Sequence, residues 1–182
     1  MSLILASPVH DKVAPEVAKL RDRLSERLTL RWVSGSKFWF QLGLLDEAAV
    51  DAHGEAVRIA IDKAANAHQG FTVTLRGVGP ERAHAGGHAI VLRVAEKAGM
   101  LGALMTSFVD RVGSQVPLTH NDPWRPLLVL AQSDRALPER DALQLESAAF
   151  GNEWRCGVKE LALLRPSDGS VLHSGTLPSS GG

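Results

Sequence analysis

Two periods of apolar and polar residues alternate along the chain, and the points where one gives way to the other predict the element order. Residues 3–6 form a short apolar run that reads as a strand and stops near Pro8. Pro15 then opens a helix with Val17, Leu20, Leu24 and Leu28 on one face and Lys19, Arg21, Arg23 and Glu26 on the other. Residues 32–44 are strand-like with a break at Gly35, and Asp46 is placed to cap a helix carrying Ala49, Val50, His53, Val57 and Ile61. Strict alternation over 71–76 predicts a strand, with 89–94 as its antiparallel neighbour and a Gly/Pro/His loop at 77–88 between them.

The second half follows the same plan. Leu101, Leu104, Met105, Phe108, Val109 and Val112 make a helical stripe, and residues 125–131 read as the next strand. Pro138 starts a helix through Leu143, Leu145 and Phe150. A strand over 158–164 then meets a hairpin partner over 171–177 through Ser167, Asp168 and Gly169. Helix, strand and helix in both halves suggest a pseudo-twofold, bilobal α+β domain over residues 1–177. The Gly/Ser-rich tail 178–182 is expected to be disordered.

Composition narrows the function classes. The 182 residues suffice for one substantial core, and 20 basic against 20 acidic side chains leave no global basic footprint for non-specific nucleic-acid binding. No apolar run approaches membrane-spanning length, the start has no signal-peptide pattern, and the single cysteine, Cys156, forms neither an intramolecular disulfide nor a metal motif. A cytoplasmic location, no cofactor, no metal and no membrane partner are expected.

Two segments carry the functional signal: Ser36-Lys37-Phe38-Trp39-Phe40-Gln41-Leu42-Gly43 and Trp124-Arg125-Pro126-Leu127-Leu128-Val129-Leu130-Ala131-Gln132. In frame and order they resemble the paired signature strands of the two-histidine phosphoesterases, the superfamily of the 2′-5′ RNA ligases. There the first strand reads His-x-Thr-x-x-Phe-Leu-Gly and the second Arg-Pro-His-x-Thr-Leu-Ala-Arg. The Phe71, Val73, Leu75, Gly77, Gly79 pattern and the closing segment from Val158 to Arg165 extend the likeness over nearly the whole chain. The resemblance implies a 2′-5′ RNA ligase-like fold, antiparallel sheets flanked by helices, with a central cleft between two lobes.

It also implies a chemistry for which this chain has lost the groups. In the family one imidazole removes a proton, the other protonates the leaving oxygen, and the hydroxyls two residues along hold the phosphate. Counted from Gly43 and Pro126, those positions are Ser36, Phe38, Leu127 and Val129. Leucine exchanges no proton and valine donates no hydrogen bond. Losing one proton-transfer group typically costs about two to four orders of magnitude in rate. The expectation is a pseudoenzyme whose cleft retains a nucleotide, an RNA or another phosphate ligand. In that register Ser36, Phe38 and Phe40 face the cleft, and Phe38, Leu127 and Val129 form an apolar patch. Arg125, two residues before Leu127, is the candidate anion-binding residue, with Arg21 as a surface control. Trp39 and Trp124 are weighed as base-stacking or core residues, and His84, His88 and His120 as solvated loop and turn residues. Two alternatives remain: an interaction or scaffold protein that keeps only the fold, and an active phosphodiesterase with other catalytic groups. A positively charged cleft would favour a ligand; an exposed apolar patch would favour a protein partner.

Overall fold

In the computed structural model, which describes residues 1–10 and 12–179, the named strands pair antiparallel throughout and sort into two five-stranded sheets. The first sheet runs β10 (Val171–Thr176), β9 (Glu160–Leu164), β1 (Ser2–Pro8), β3 (Trp39–Asp46) and β6 (Leu118–Thr119). The second runs β2 (Arg31–Trp32), β7 (Leu128–Ser133), β5 (His88–Glu96), β4 (Phe71–Arg82) and β8 (Glu153–Val158). The short strand β2, which leads toward β3, edges the second sheet beside β7, whereas β6, which leads toward β7, edges the first beside β3. Each lobe lends the other an edge strand. The order β1-β3-β6 therefore recurs as β5-β7-β2, which is the bilobal α+β plan expected from the sequence.

Five helices cover the outer faces: α1 (Ala14–Ser25), α2 (Glu47–Ala52), α3 (Gly54–Asn66), α4 (Ala98–Val112) and α5 (Glu139–Ala149). Val17 and Leu20 of α1, Ile61 of α3, Leu104 and Phe108 of α4 and Leu145 of α5 join one core with residues from both sheets, such as Leu5 and Leu92. Each sheet has a second apolar face. Ile4, Ala6, Ala162 and Leu164 cluster on the first; Ala89, Val91, Leu127 and Val129 cluster on the second.

Local chemistry moves several boundaries. Asp46 caps α2, its carboxylate accepting from the Ala49 N–H at 3.2 Å, but the expected single helix breaks at His53 (φ −128°, ψ 30°) into α2 and α3. The expected loop 77–88 is mostly strand. Gly77 (φ +85°) sits where the β4–β5 register shifts, a bulge that bends β4 and lets it continue to Arg82. The expected strand 158–164 is two strands in different sheets, separated at Lys159. The expected strands 36–43 and 125–132 begin later, at Trp39 and Leu128. Of the tail, the Pro178 carbonyl accepts the Gly70 N–H at 2.8 Å, and residues 180–182 lie outside the described residues.

Candidate functional site

The two signature strands meet at one point. The Gln41 N–H donates to the Leu127 carbonyl at 2.8 Å and the Leu127 N–H returns a bond to the Gln41 carbonyl at 3.0 Å. This antiparallel bridge joins the two lobes, and a cleft of about 690 Å³ opens beside it.

Which side chains enter the cleft depends on a bulge. Leu5 pairs with Gly43 but Ala6 pairs with Gln41, so Leu42 has no partner on β1. Its carbonyl is taken instead by the Trp124 indole N–H at 2.9 Å, while the Trp124 ring lies against Gly102 of α4. Trp124 is thus a structural clasp, held by packing and by its one donor. On the near side of the bulge, Trp39 and Gln41 line the cleft with Ile4, and Phe38, Phe40 and Leu42 go into the main core. The expected cleft-facing set of Ser36, Phe38 and Phe40 is corrected accordingly. Phe40 is fully buried, Phe38 is 4 % exposed, belongs to the main core and also lines the cleft, and Ser36 lines it from an exposed loop. Counting back from Gly43 fails because alternation changes phase across a bulge and does not extend into a loop.

On β7 and the residue before it the register holds: Leu127 and Val129 are on the apolar cluster beside the cleft, and Val129 lines it. Arg125 does not share that face. It is exposed, precedes the strand, and lines a separate small depression with Arg93 and Glu81. Its backbone N–H is held by the Asn121 side-chain carbonyl at 3.0 Å, and that turn ends the alternation on which the expectation relied.

Arg21 is also not the surface residue its helical position suggests. It is 8 % exposed, pairs with Asp22 at 2.9 Å, lies 5.5 Å over the Phe38 ring, and donates to the Gly35 carbonyl. One guanidinium therefore anchors the rim loop to α1. Sequence periodicity missed this, since an arginine reads as polar whether or not its head is buried on a carbonyl.

His84 is the feature that sequence reasoning placed furthest from its role. It is 4 % exposed at the turn between β4 and β5 and lines the inner cleft. The Asn121 backbone N–H donates to Nδ1 at 3.1 Å, which makes Nδ1 the bare nitrogen and Nε2 the protonated one. Nε2–H then donates to the Gln41 carbonyl at 3.0 Å, the same oxygen that accepts from Leu127. Burial pushes the imidazole below its ordinary range and keeps it neutral near pH 7. Asn121 completes the cluster, its amide donating to the Arg82 carbonyl at 3.0 Å. His88 is half-buried at the start of β5, and His120 is exposed, as a turn residue should be. Among the described residues no group of three or more His, Cys, Asp or Glu side chains could hold a metal ion.

The cleft's formal charges are few. Of the described residues that line it, Lys37 and Asp168 alone carry charge near pH 7, one of each sign. The remaining polar lining is uncharged, chiefly Ser34, Ser36, Gln41, Gln132 and Ser167.

No family model and no curated protein matches the chain. Solved structures do. TT0787 of Thermus thermophilus is 20 % identical, with all of both chains covered and a TM-score of 0.64. LigT of E. coli complexed with ATP is 15 % identical over 98 % of each chain, with a TM-score of 0.65. A phosphoesterase is 15 % identical over 98 % of this chain and 99 % of its own, with a TM-score of 0.57. E. coli LigT is also solved with NADP+, 3′-AMP and phosphate. The fold is that of the two-histidine phosphoesterases.

Proposed function

We propose that this chain is a ligand-binding member of the two-histidine phosphoesterase fold that does not turn over phosphoesters. The observation that carries this reading is the state of the cleft's one imidazole among the described residues. Both nitrogens of His84 are committed to backbone groups, so neither is free to move a proton. The signature strands add none: Trp39, Gln41, Leu127 and Val129 contain no group that titrates near neutrality. A cleft of about 690 Å³ is nevertheless kept open, within the size range of small-molecule sites. Structures of E. coli LigT with ATP, NADP+ and 3′-AMP support a ligand of nucleoside or nucleotide type. The apolar residues Phe38, Leu127 and Val129 are at most 9 % exposed, so they offer a protein partner no surface patch.

The test is turnover of nucleoside 2′,3′-cyclic phosphates by the purified chain, with binding of nucleosides and nucleotides measured in parallel by calorimetry. Binding without turnover is the expected result. Cyclic-phosphate hydrolysis that co-purifies with the protein and disappears in Gln41→Leu would overturn the inactive reading.

A further inference from the structure

We propose that the cleft takes an uncharged planar heteroaromatic ring, stacked on Trp39 and read by the Gln41 amide, and that a phosphate group adds nothing to its affinity. The proposal rests on reading the cleft as a ligand site and adds which part of a ligand it selects.

Three observations converge. First, charge: Lys37 and Asp168 cancel, and Lys37 stands exposed on the rim. A phosphate brought against β7 beside the bridge would meet Val129 next to the buried Leu127 with no cation, and the donor that β7 brings to the cleft, the Gln132 amide, is uncharged, a poor exchange for the water around any anion. Second, Trp39 is built in as a platform. It packs onto the Ile4, Ala6, Ala162 and Leu164 cluster of its own sheet and is half-buried, with the remainder of the ring in the cleft. Gly169 of the β9–β10 turn closes on the ring edge so tightly that a Cβ there would come within 2.9 Å of it. The indole is thus fixed in one pose before any ligand arrives, which lowers the ordering cost of stacking. Third, Gln41 has spare hydrogen-bonding capacity in the right place. Its backbone groups are spent on Leu127 and His84, while its side-chain amide makes no hydrogen bond among the described residues. That amide presents one acceptor and two donors, the pattern that complements the edge of a nitrogen heterocycle.

Titration of the full chain with adenosine, guanosine, cytidine and uridine, with the four 3′-monophosphates and with inorganic phosphate tests this. Calorimetry gives affinities and tryptophan fluorescence reports the stacking. The expected result is binding of at least one nucleoside, a 3′-monophosphate no more than threefold tighter, and no binding of inorganic phosphate. Trp39→Leu should weaken the nucleoside at least tenfold and abolish its fluorescence signal. Gln41→Leu, which leaves the backbone bridge intact, should weaken it at least fivefold and keeps the test decisive if Trp39→Leu does not fold. A 3′-monophosphate more than threefold tighter than its nucleoside overturns the neutral-ring inference while leaving the ligand-binding function standing. Unchanged affinity in Gln41→Leu also overturns the inference alone. Failure of all probes to bind the folded wild type overturns both.

Discussion

Strands β3 and β7 occupy equivalent places, one in each sheet, and are joined by a bridge from Gln41 to the residue before β7, yet beside that bridge they present different chemistry to the cleft. From the first come Trp39 and Gln41, a large ring and a free amide. From the second, beside the bridge, comes Val129, 9 % exposed, next to the fully buried Leu127, while its polar Gln132 lines the cleft only near the far end of the strand. In a fold whose two halves are alike, a symmetric cleft would offer the same groups from both sides. Here, beside the bridge, one wall is aliphatic carbon and the other keeps a recognition surface. A site of this kind holds a ligand from one side and does no two-handed acid–base chemistry.

The sharpest way to break that comparison is to truncate the bridge residues in turn. Leu127 is surrounded by Ala89, Val91 and Val129 with no room for water, so Leu127→Ala should cost about 3 kcal/mol in denaturant unfolding. Gln41→Ala removes a half-buried side chain and leaves its backbone bonds in place, so its cost should stay below about 1 kcal/mol. Equal losses at the two positions would mean that the walls are not distinct in kind.

Next in size is His84, which ties the β4–β5 turn to β3 and to the loop that leads into β7. His84→Leu strands the Asn121 N–H and removes a donor from the Gln41 carbonyl, a loss of about 2 kcal/mol. The same residue predicts a pH dependence. Because burial holds the folded imidazole below its ordinary value of about 6.5, the unfolded chain protonates first as pH falls. The contribution is fully present above that value and is lost progressively as pH drops below it toward the folded value. Unfolding free energies measured from about pH 8 down to pH 5 should decline in wild type, and His84→Gln should remove this component. A parallel slope in the variant would show that other groups carry it.

These long-range ties also mark the limit of what the chain discloses on its own. Apolar runs, period-two alternation and helical patterning placed β1, α1, the β4–β5 pair and the β9–β10 hairpin, because each of these signals is local to its own element. The phase of β3 was not legible. It turns on Leu42, a bulge residue whose carbonyl is satisfied by an indole 82 positions away. Strand β8 was missed for a related reason: Glu153, Trp154 and Arg155 break the apolar run, and the strand is fixed by pairing with β4 from Phe71 to Arg76. His84 and Arg21 read as ordinary polar residues because burial by a partner 43 or 14 residues distant leaves no local signature. Of the site, sequence reasoning grouped Leu127 and Val129 as an apolar patch, which the structure places beside the cleft, and weighed Trp39 as a core or a base-stacking residue. Gln41, and the cleft-facing phase of β3 that pairs it with Trp39, came from the structure.

Arg21 sets up a smaller effect on the rim of the recognition wall. Its guanidinium spans α1, the Gly35 carbonyl and the Phe38 ring, so Arg21→Ala should cost about 1–2 kcal/mol. The local consequence is more telling than the global one. Amide exchange should speed up over residues 33–37 ahead of the strands, since that loop would lose its anchor. Protection unchanged across the loop would show that the guanidinium packs there without holding it.

The smallest expected effect separates the cleft from its surroundings. Arg125 and Arg93 form the cationic side of a shallow depression beyond β7, where Arg93 already faces Glu81 at 3.7 Å. Neither arginine lines the cleft. Arg125→Ala should therefore leave nucleoside affinity within twofold of wild type and change stability by less than about 0.5 kcal/mol, as for an exposed side chain outside any network. The measurement is the same nucleoside titration used for Trp39→Leu, run at low and high salt. Salt-dependent binding that Arg125→Ala weakens tenfold would place an anionic ligand group in that depression. The recognition surface would then run from the Trp39 wall past the sealed strand, and the two walls would act on one ligand together.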